Sequence, residues 1–238
     1  MIVIPARLKS TRFPNKVLAK IDGIPMVIKT ANQVKEIDEV LIATDSKEVA
    51  KVADDFGYRA VLTKDDHKSG TDRINEAINA LDLPDDEVVL NVQADEPFIE
   101  KDVVLSLYNR VQKAIKNQEE FMIVSCCKKI SPKKAEDPNI VKVVLNKKNE
   151  AIYFSRSKIP YDREKIEYFL GHLGLYGFSK KTLNDFCSLS HSPLEDIEKL
   201  EQLRAIYYGK KILMIEVESQ SFGIDTKEDY HKALKKVE

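Results

Sequence analysis

Residues 39–63 read EVLIATDSKEVAKVADDFGYRAVLT. The run Val40–Ala43 is short and wholly apolar, which suits a strand buried on both faces. Ser46 is a helix N-cap residue, and the segment it opens runs to Gly57, a helix-stopping residue. RAVLT then gives a second apolar run. Two short strands separated by a helix cannot form a tight hairpin. They require a crossover, and crossovers join parallel strands.

The same pattern extends in both directions. MIVIPA at 1–6 and EVVLNVQ at 87–93 are strand-like. PMVIKTANQVKE begins with Pro25, placed to start a helix. GTDRINEAINAL puts Ile74, Ala77, Ile78 and Leu81 on one helical face, and DVVLSLYNRVQKAIKN does the same with Val104, Leu107, Val111 and Ile115. The first half therefore predicts an α/β fold with a mainly parallel, Rossmann-like sheet and helices on both faces.

The second half changes character. MIVSCCKK, IVKVVLN, AIYFSR and HLGLYGFS are strand-like without long helices between the first three, and KKNE suits a hairpin turn. SPLEDIEKLEQLRAIYYG reads as one helix, with Ser192 as N-cap and Pro193 first. KILMIEVE is a late strand, and TKEDYHKALKKV a closing helix capped by Thr226. The expectation is a single domain over 1–238 with an antiparallel insertion at approximately 125–180.

Composition narrows the function classes. The 238 residues are 32% charged yet carry a net charge of only −1, which argues against a protein built to coat nucleic acid. No apolar run approaches the length of a membrane span, and the start lacks the pattern of a signal peptide. Cys126, Cys127 and Cys187 show no metal-ligand spacing, which points to reduced thiols and a cytoplasmic setting.

Ligands of open α/β sheets gather outside the carboxyl ends of the strands, and four charged clusters fall there. ARLKSTRFPNK carries Arg7, Lys9, Arg12 and Lys16 straight off the first strand. These cations could neutralise a triphosphate and its departing pyrophosphate, although a solvated basic turn fits the loop alone equally well. HKSGTDR at 67–73 puts Ser69, Gly70 and Thr71 at a helix N-terminus, where hydroxyls and free amides suit a nucleotide or simply cap the helix. NVQADEP at 91–97 delivers Asp95 and Glu96 at a strand end, suited to Mg²⁺ or to a turn. FGIDTKED offers Asp225 before the closing helix.

Taken in order, IPARLKSTRFPNKVL, HKSGTDR, NVQADEPFI, NIVKVVLN, YFSRSKIPYDR, GHLGLYGF, PLEDIEKLEQLRAIYYG and FGIDTKEDY closely resemble the 3-deoxy-manno-octulosonate (Kdo) cytidylyltransferase family over nearly the whole chain. The resemblance implies a nucleotidyltransferase that transfers CMP from CTP to Kdo, releasing pyrophosphate, for lipopolysaccharide inner-core biosynthesis. It implies that Arg7 and Lys16 bind the CTP phosphates, and that Ser69, Gly70, Thr71, Arg73 and Gln93 bind the nucleotide. Lys16, Asp95 and Asp225 become catalytic, the two acids as Mg²⁺ ligands. Arg156, Arg163, His172, Tyr176, Glu201 and Gln202 become the sugar-acid pocket, where arginine suits the Kdo carboxylate and the others suit hydroxyls. The family also implies a homodimer joined through the antiparallel insertion; the composition adds the expectation of a cytoplasmic protein with no nucleic-acid partner and no membrane insertion.

The chain departs from the family pattern at Asn15 and Ala94, where glycine is common, and glycine permits backbone angles that other residues resist. Without the resemblance, Arg156 and Arg163 read equally as surface cations, His172 and Tyr176 as packing, and Glu201 and Gln202 as the wet face of a helix. Three readings compete with Kdo activation: a cytidylyltransferase for another acceptor such as 8-amino-Kdo or a sialic acid, a non-catalytic nucleotide-binding regulator, and a metal-dependent glycosyltransferase.

Overall fold

The computed structural model describes residues 1–10 and 13–237, with the side chains of 236 and 237 excepted. Arg12 therefore lies outside the described residues. The backbone groups into two compact units, residues 1–105 with 219–238, and residues 106–218. The sequence-expected insertion at 125–180 falls inside the second unit, which extends beyond it at both ends.

The first unit is built on parallel strands. Strand β1 (Ile2–Pro5) is buried along its length. A short antiparallel pair follows, β2 (Lys20–Ile21) and β3 (Ile24–Pro25). Its turn is Asp22–Gly23, both at positive φ, the type I′ pattern. Helix α1 (Met26–Val34) leads to β4 (Val40–Thr44), helix α2 (Lys47–Asp55) and β5 (Arg59–Leu62). Helix α3 (Gly70–Asn79), strand β6 (Val88–Asn91) and helix α4 (Lys101–Lys116) continue the alternation. The order β6-β1-β4-β5 is parallel throughout, with Ile2 opposite Val40 and Leu90, and Leu41 opposite Arg59. All four carboxyl ends therefore lie along one edge.

Local chemistry explains the boundaries. The Ser46 hydroxyl accepts the Val49 amide, and Gly57 at φ 78° ends the α2 region. The Ser69 hydroxyl accepts the Asp72 amide at the start of α3. Ile74, Ala77 and Ile78 of α3 are fully buried, as their spacing predicts.

The second unit holds β7 (Ile123–Ile130), α5 (Pro132–Ala135), β8 (Lys142–Leu145), β9 (Ala151–Ser155) and β10 (Phe169–Ser179). Helices α6 (Lys180–Ser188), α7 (Pro193–Glu198) and α8 (Leu203–Tyr207) precede β11 (Ile212–Glu216). β7 pairs antiparallel with β10 and parallel with β11, while β8 and β9 form the hairpin around KKNE. The β7–β10 register shifts between Leu173 and Tyr176, a bulge within the strand.

One expectation is corrected here. SPLEDIEKLEQLRAIYYG is not one helix: Lys199 is left-handed (φ 53°), separating α7 from α8. Tertiary forces override propensity at this point. Leu200 turns inward, and Arg204 of α8 donates from Nε and Nη2 to Glu195 of α7 at 2.9 and 2.6 Å, both residues buried. Breaking the helix lets the apolar and ionic contacts form together. Ser192 and Pro193 do start α7, with a complete capping box between Ser192 and Glu195.

The chain then returns to the first unit. Ser219, Gln220 and Ser221 bond the carboxylates of Glu100 and Glu96. The closing helix α9 (Lys227–Val237) begins at Thr226, whose hydroxyl accepts the Asp229 amide.

Candidate active site

A cleft of about 290 Å³ in the first unit lies where the strand ends meet. Arg7, Lys16, Ser69, Gly70, Arg73, Gln93, Asp95 and Asp225 line it, all of them expected from the sequence. The basic loop leaves β1 and turns at Asn15, which adopts a left-handed conformation (φ 56°, ψ 27°). Asparagine is among the few residues that tolerate this region. Asn15 thus meets the backbone demand that glycine would otherwise meet, and a 3₁₀ turn at Lys16–Leu18 follows.

Lys16 points into a pair of acids. Its Nζ lies 2.5 Å from Asp95 Oδ2 and 3.1 Å from Asp225 Oδ1. These residues are far apart in sequence, and the backbone joins them: the Ile224 amide donates to the Asp95 carbonyl at 2.9 Å. Burial alone would lower the Lys16 pKa, but the two carboxylates outweigh it and hold the ammonium above its ordinary value.

The same geometry tests the fit to a metal. Two carboxylates converge on one positive centre, a hard, all-oxygen donor set. Among the described residues no cluster of three or more His, Cys, Asp or Glu could hold a metal ion. An ion held here would complete its shell with phosphate oxygens and water, as Mg²⁺ does. Asp95 and Asp225 therefore fit Mg²⁺.

The opposite wall is the start of α3. A Cβ on Gly70 would stand 3.1 Å from Pro5 Cγ, so glycine allows the helix N-terminus to approach the end of β1 closely. Thr71 and Arg73 do not simply face the cleft. The Thr71 hydroxyl is buried and accepts Asn91 Nδ2, while Asn91 Oδ1 accepts Gln93 Nε2 at 2.8 Å. Arg73 is 3% exposed and donates to Thr63 Oγ1, the Lys64 carbonyl and Asp45. Its position is set by protein contacts, with one edge reaching the cleft.

Sequence reasoning passed over several cleft residues. His67 and Lys68 line the cleft, as do Ser10 and Val17; Ala94, noted in the sequence as a departure from glycine, lines it too. The ring of His67 pairs with Glu76 Oε2, and Glu76 also accepts the Lys64 amide. Burial raises the Glu76 pKa, but these two bonds outweigh it and leave it lowered. The signal was present: His67 opens the motif whose later residues drew attention. Ala94 adopts no positive φ, so it needs none of the freedom of glycine.

The second unit gathers part of the expected sugar pocket. Tyr176 Oη donates to Gln202 Oε1 at 3.0 Å, and the rings of His172 and Tyr176 meet at 5.6 Å. Gln202 is 1% exposed, so the wet-helix reading does not hold for it, and its Nε2 is buried with no hydrogen-bond partner among the described residues. Such a donor is costly to leave unmet and suits a ligand hydroxyl. Glu201 adds negative charge near Tyr176, whose pKa is raised first by burial and then by Glu201. Burial lowers His172 to about 3, so its ring is neutral.

The two arginines stand differently. Arg156 Nε donates to the Glu198 carbonyl and Nη1 to the Pro138 carbonyl, at 2.8 and 3.0 Å. Arg163 is exposed on the loop between β9 and β10. The His172–Tyr176–Gln202 group does not include them by any direct bond. Cys126 and Cys127 are fully buried; burial pushes both thiols up, Cys127 to about 12, which makes them poor nucleophiles.

Residues 1–212 match the sequence pattern of a family described as cytidylyltransferase. A 3-deoxy-manno-octulosonate cytidylyltransferase from Wolinella succinogenes is 52% identical, covering 99% of this chain and 98% of its own. Another of that name from Nitratiruptor sp. is 55% identical, covering 98% of this chain and 97% of its own. A solved structure of CMP:2-keto-3-deoxy-manno-octonic acid synthetase complexed with CTP superposes with a TM-score of 0.90 and 36% identity, covering 99% of this chain and 97% of that one.

Proposed function

The chain belongs to the cytidylyltransferase family, and we infer from its likeness to 3-deoxy-manno-octulosonate cytidylyltransferases over nearly its full length that it transfers CMP from CTP to Kdo with release of pyrophosphate. The product is an activated sugar acid, and the pathway it serves on this reading is lipopolysaccharide inner-core assembly. The observation that supports the residue roles best is the convergence of Asp95 and Asp225 on Lys16 Nζ.

In the proposed mechanism the anomeric hydroxyl of Kdo attacks the α-phosphorus of CTP in line with the departing pyrophosphate. Arg7 and Lys16 neutralise the triphosphate, and Lys16 stabilises the charge that builds on the leaving group. Ser69, Gly70 and the start of α3 bind the nucleotide, with Thr71 and Arg73 holding that wall in place and Gln93 beside it. Asp95 and Asp225 hold Mg²⁺, which when bound supplies Lewis-acid charge stabilisation for the phosphates. His172, Tyr176, Glu201 and Gln202 bind Kdo hydroxyls, and Arg156 and Arg163 supply the charge for its carboxylate. Direct in-line attack needs no covalent enzyme intermediate, and none of the cysteines takes part.

The enzyme acts in the cytoplasm as a homodimer on this reading. No helix among the described residues is long and apolar enough to cross a membrane. Exposed Ile152, Tyr161, Tyr168 and Tyr207 of the second unit support a self-association surface there; light scattering on purified protein tests it. The reaction is tested by pyrophosphate release with CTP and Mg²⁺, comparing Kdo, 8-amino-Kdo, a sialic acid and no acceptor. Release that depends on both CTP and Kdo supports the reading, and release with another acceptor only would reassign the substrate. CTP binding without release under any condition would favour a regulator.

A further inference from the structure

Asp45 stands at the carboxyl end of β4, immediately after Thr44, and does not line the cleft. Its two oxygens nevertheless reach both walls of it. Oδ1 accepts the backbone amide of Leu8 at 3.1 Å, in the basic loop that follows β1. Oδ2 accepts Nη2 of Arg73 at 3.3 Å, on α3. The Asp45 side chain is 9% exposed and that of Arg73 3% exposed, so the pair is shielded from solvent. A buried carboxylate with two donors holds both more firmly than a solvated one would. The same guanidinium is anchored by Thr63 Oγ1 and the Lys64 carbonyl, so Arg73 is a fixed post. The Leu8 amide is the first backbone donor after Arg7, and the Thr44 hydroxyl bonds the Ala6 carbonyl at 2.6 Å, fixing the base of the same loop.

We propose that Asp45 is a positioning residue for the nucleotide: a strut that ties the basic loop carrying Arg7 to α3, which Ser69 caps and which carries Arg73, and so sets the width of the CTP cleft. This rests on the cleft being the CTP site. Asp45 touches no substrate. It acts by holding the Arg7 segment at the distance from the α3 N-terminus that a triphosphate spans, so its loss should weaken binding of CTP rather than of the sugar acid.

The test compares wild type with Asp45→Asn and Asp45→Ala. Asparagine keeps the size and an acceptor for Leu8, but removes the charge and places a donor or a weaker acceptor against Arg73. The expected result is a KM for CTP raised about tenfold in Asp45→Asn and further in Asp45→Ala, with KM for Kdo unchanged within about twofold. Hydrogen exchange of a peptide spanning residues 7–10 should quicken in both variants, because the Leu8 amide loses its acceptor or its anchor. A merely structural Asp45 would lower melting temperature and active fraction while leaving KM for CTP alone, and that result overturns the proposal. If Asp45→Ala fails to fold, Asp45→Asn decides. If wild type itself shows no CTP-dependent release, the reaction assignment fails, and the exchange of residues 7–10, which needs no turnover, still decides whether the strut exists.

Discussion

Lys16 and Asp95 form an ion pair at 2.5 Å in the cleft, and Asp225 shares the same ammonium at 3.1 Å. The lysine thus occupies the focus of two acids that would otherwise repel each other. Lys16→Met should lower kcat by roughly 100-fold or more, the usual loss of a charge-stabilising donor. It should also make the metal-free protein melt lower, with Mg²⁺ restoring more of the melting temperature than in wild type. Asp95→Asn should cost turnover on the same scale, and near-normal turnover at ordinary Mg²⁺ would remove Asp95 from its proposed role.

The pH dependence of that pair has a defined sign. The Lys16 pKa is raised in the folded state, so the pair's contribution to stability is fully present below the unfolded lysine value and is lost as pH rises through the folded one. Activity should therefore show no alkaline limb from Lys16 up to about pH 10. A pH–rate profile checks this, and a lysine-dependent fall below pH 9 would contradict it.

His172 gives the opposite case. Its pKa is depressed to about 3, so between that value and the unfolded value the unfolded chain binds more protons. Stability should fall as pH drops from 6.5 toward 3, with a slope of at most about 1.4 kcal/mol per pH unit. His172 as a whole residue is half-buried, and any solvent access to it reduces the slope. Ser125 Oγ donates to the Leu175 carbonyl at 2.7 Å, so it accepts from His172 Nε2 at 2.8 Å, which puts the His172 proton on Nε2. Urea midpoints of wild type and His172→Gln across this range should differ in slope.

Asn15 carries a local strain prediction. A non-glycine residue at φ 56° costs roughly 1–2 kcal/mol unless it is asparagine or aspartate. Asn15→Ala should destabilise by about 1 kcal/mol and Asn15→Gly should be tolerated, as read from denaturant midpoints.

Gln202 links stability to acceptor binding. Gln202→Ala leaves the Tyr176 hydroxyl buried without its acceptor and should cost about 1–3 kcal/mol. KM for Kdo should rise while KM for CTP stays level. The double change Tyr176→Phe with Gln202→Ala should be less than additive, because both remove the same bond.

The parallel half of the fold was legible because strand and helix periods alternate cleanly from Val40 to Leu62. Lys16 and Asp95 stood out as charged residues in segments that leave apolar strands, but their roles came from the family resemblance. The break at Lys199 was not legible, because no glycine or proline marks it, and the Glu195–Arg204 pair that favours it exists only after folding. Gln202 was named only through the family resemblance; read from its own segment, a continuous helix put it on the wet face. Asp45 was visible as a strand-ending acid in EVLIATD, but its partners, a loop amide and a distant arginine, carry no local signature.

The most direct measurement follows an isotopic label through one turnover. Kdo carrying ¹⁸O at its anomeric hydroxyl is mixed with CTP, Mg²⁺ and enzyme, and the phosphorus signals are followed by ³¹P NMR. Attack on the α-phosphorus predicts an isotope-shifted phosphodiester signal, unlabelled pyrophosphate in equal amount, and loss of both in Asp95→Asn. A label released from the sugar, or a phosphodiester that forms without pyrophosphate, would contradict the mechanism.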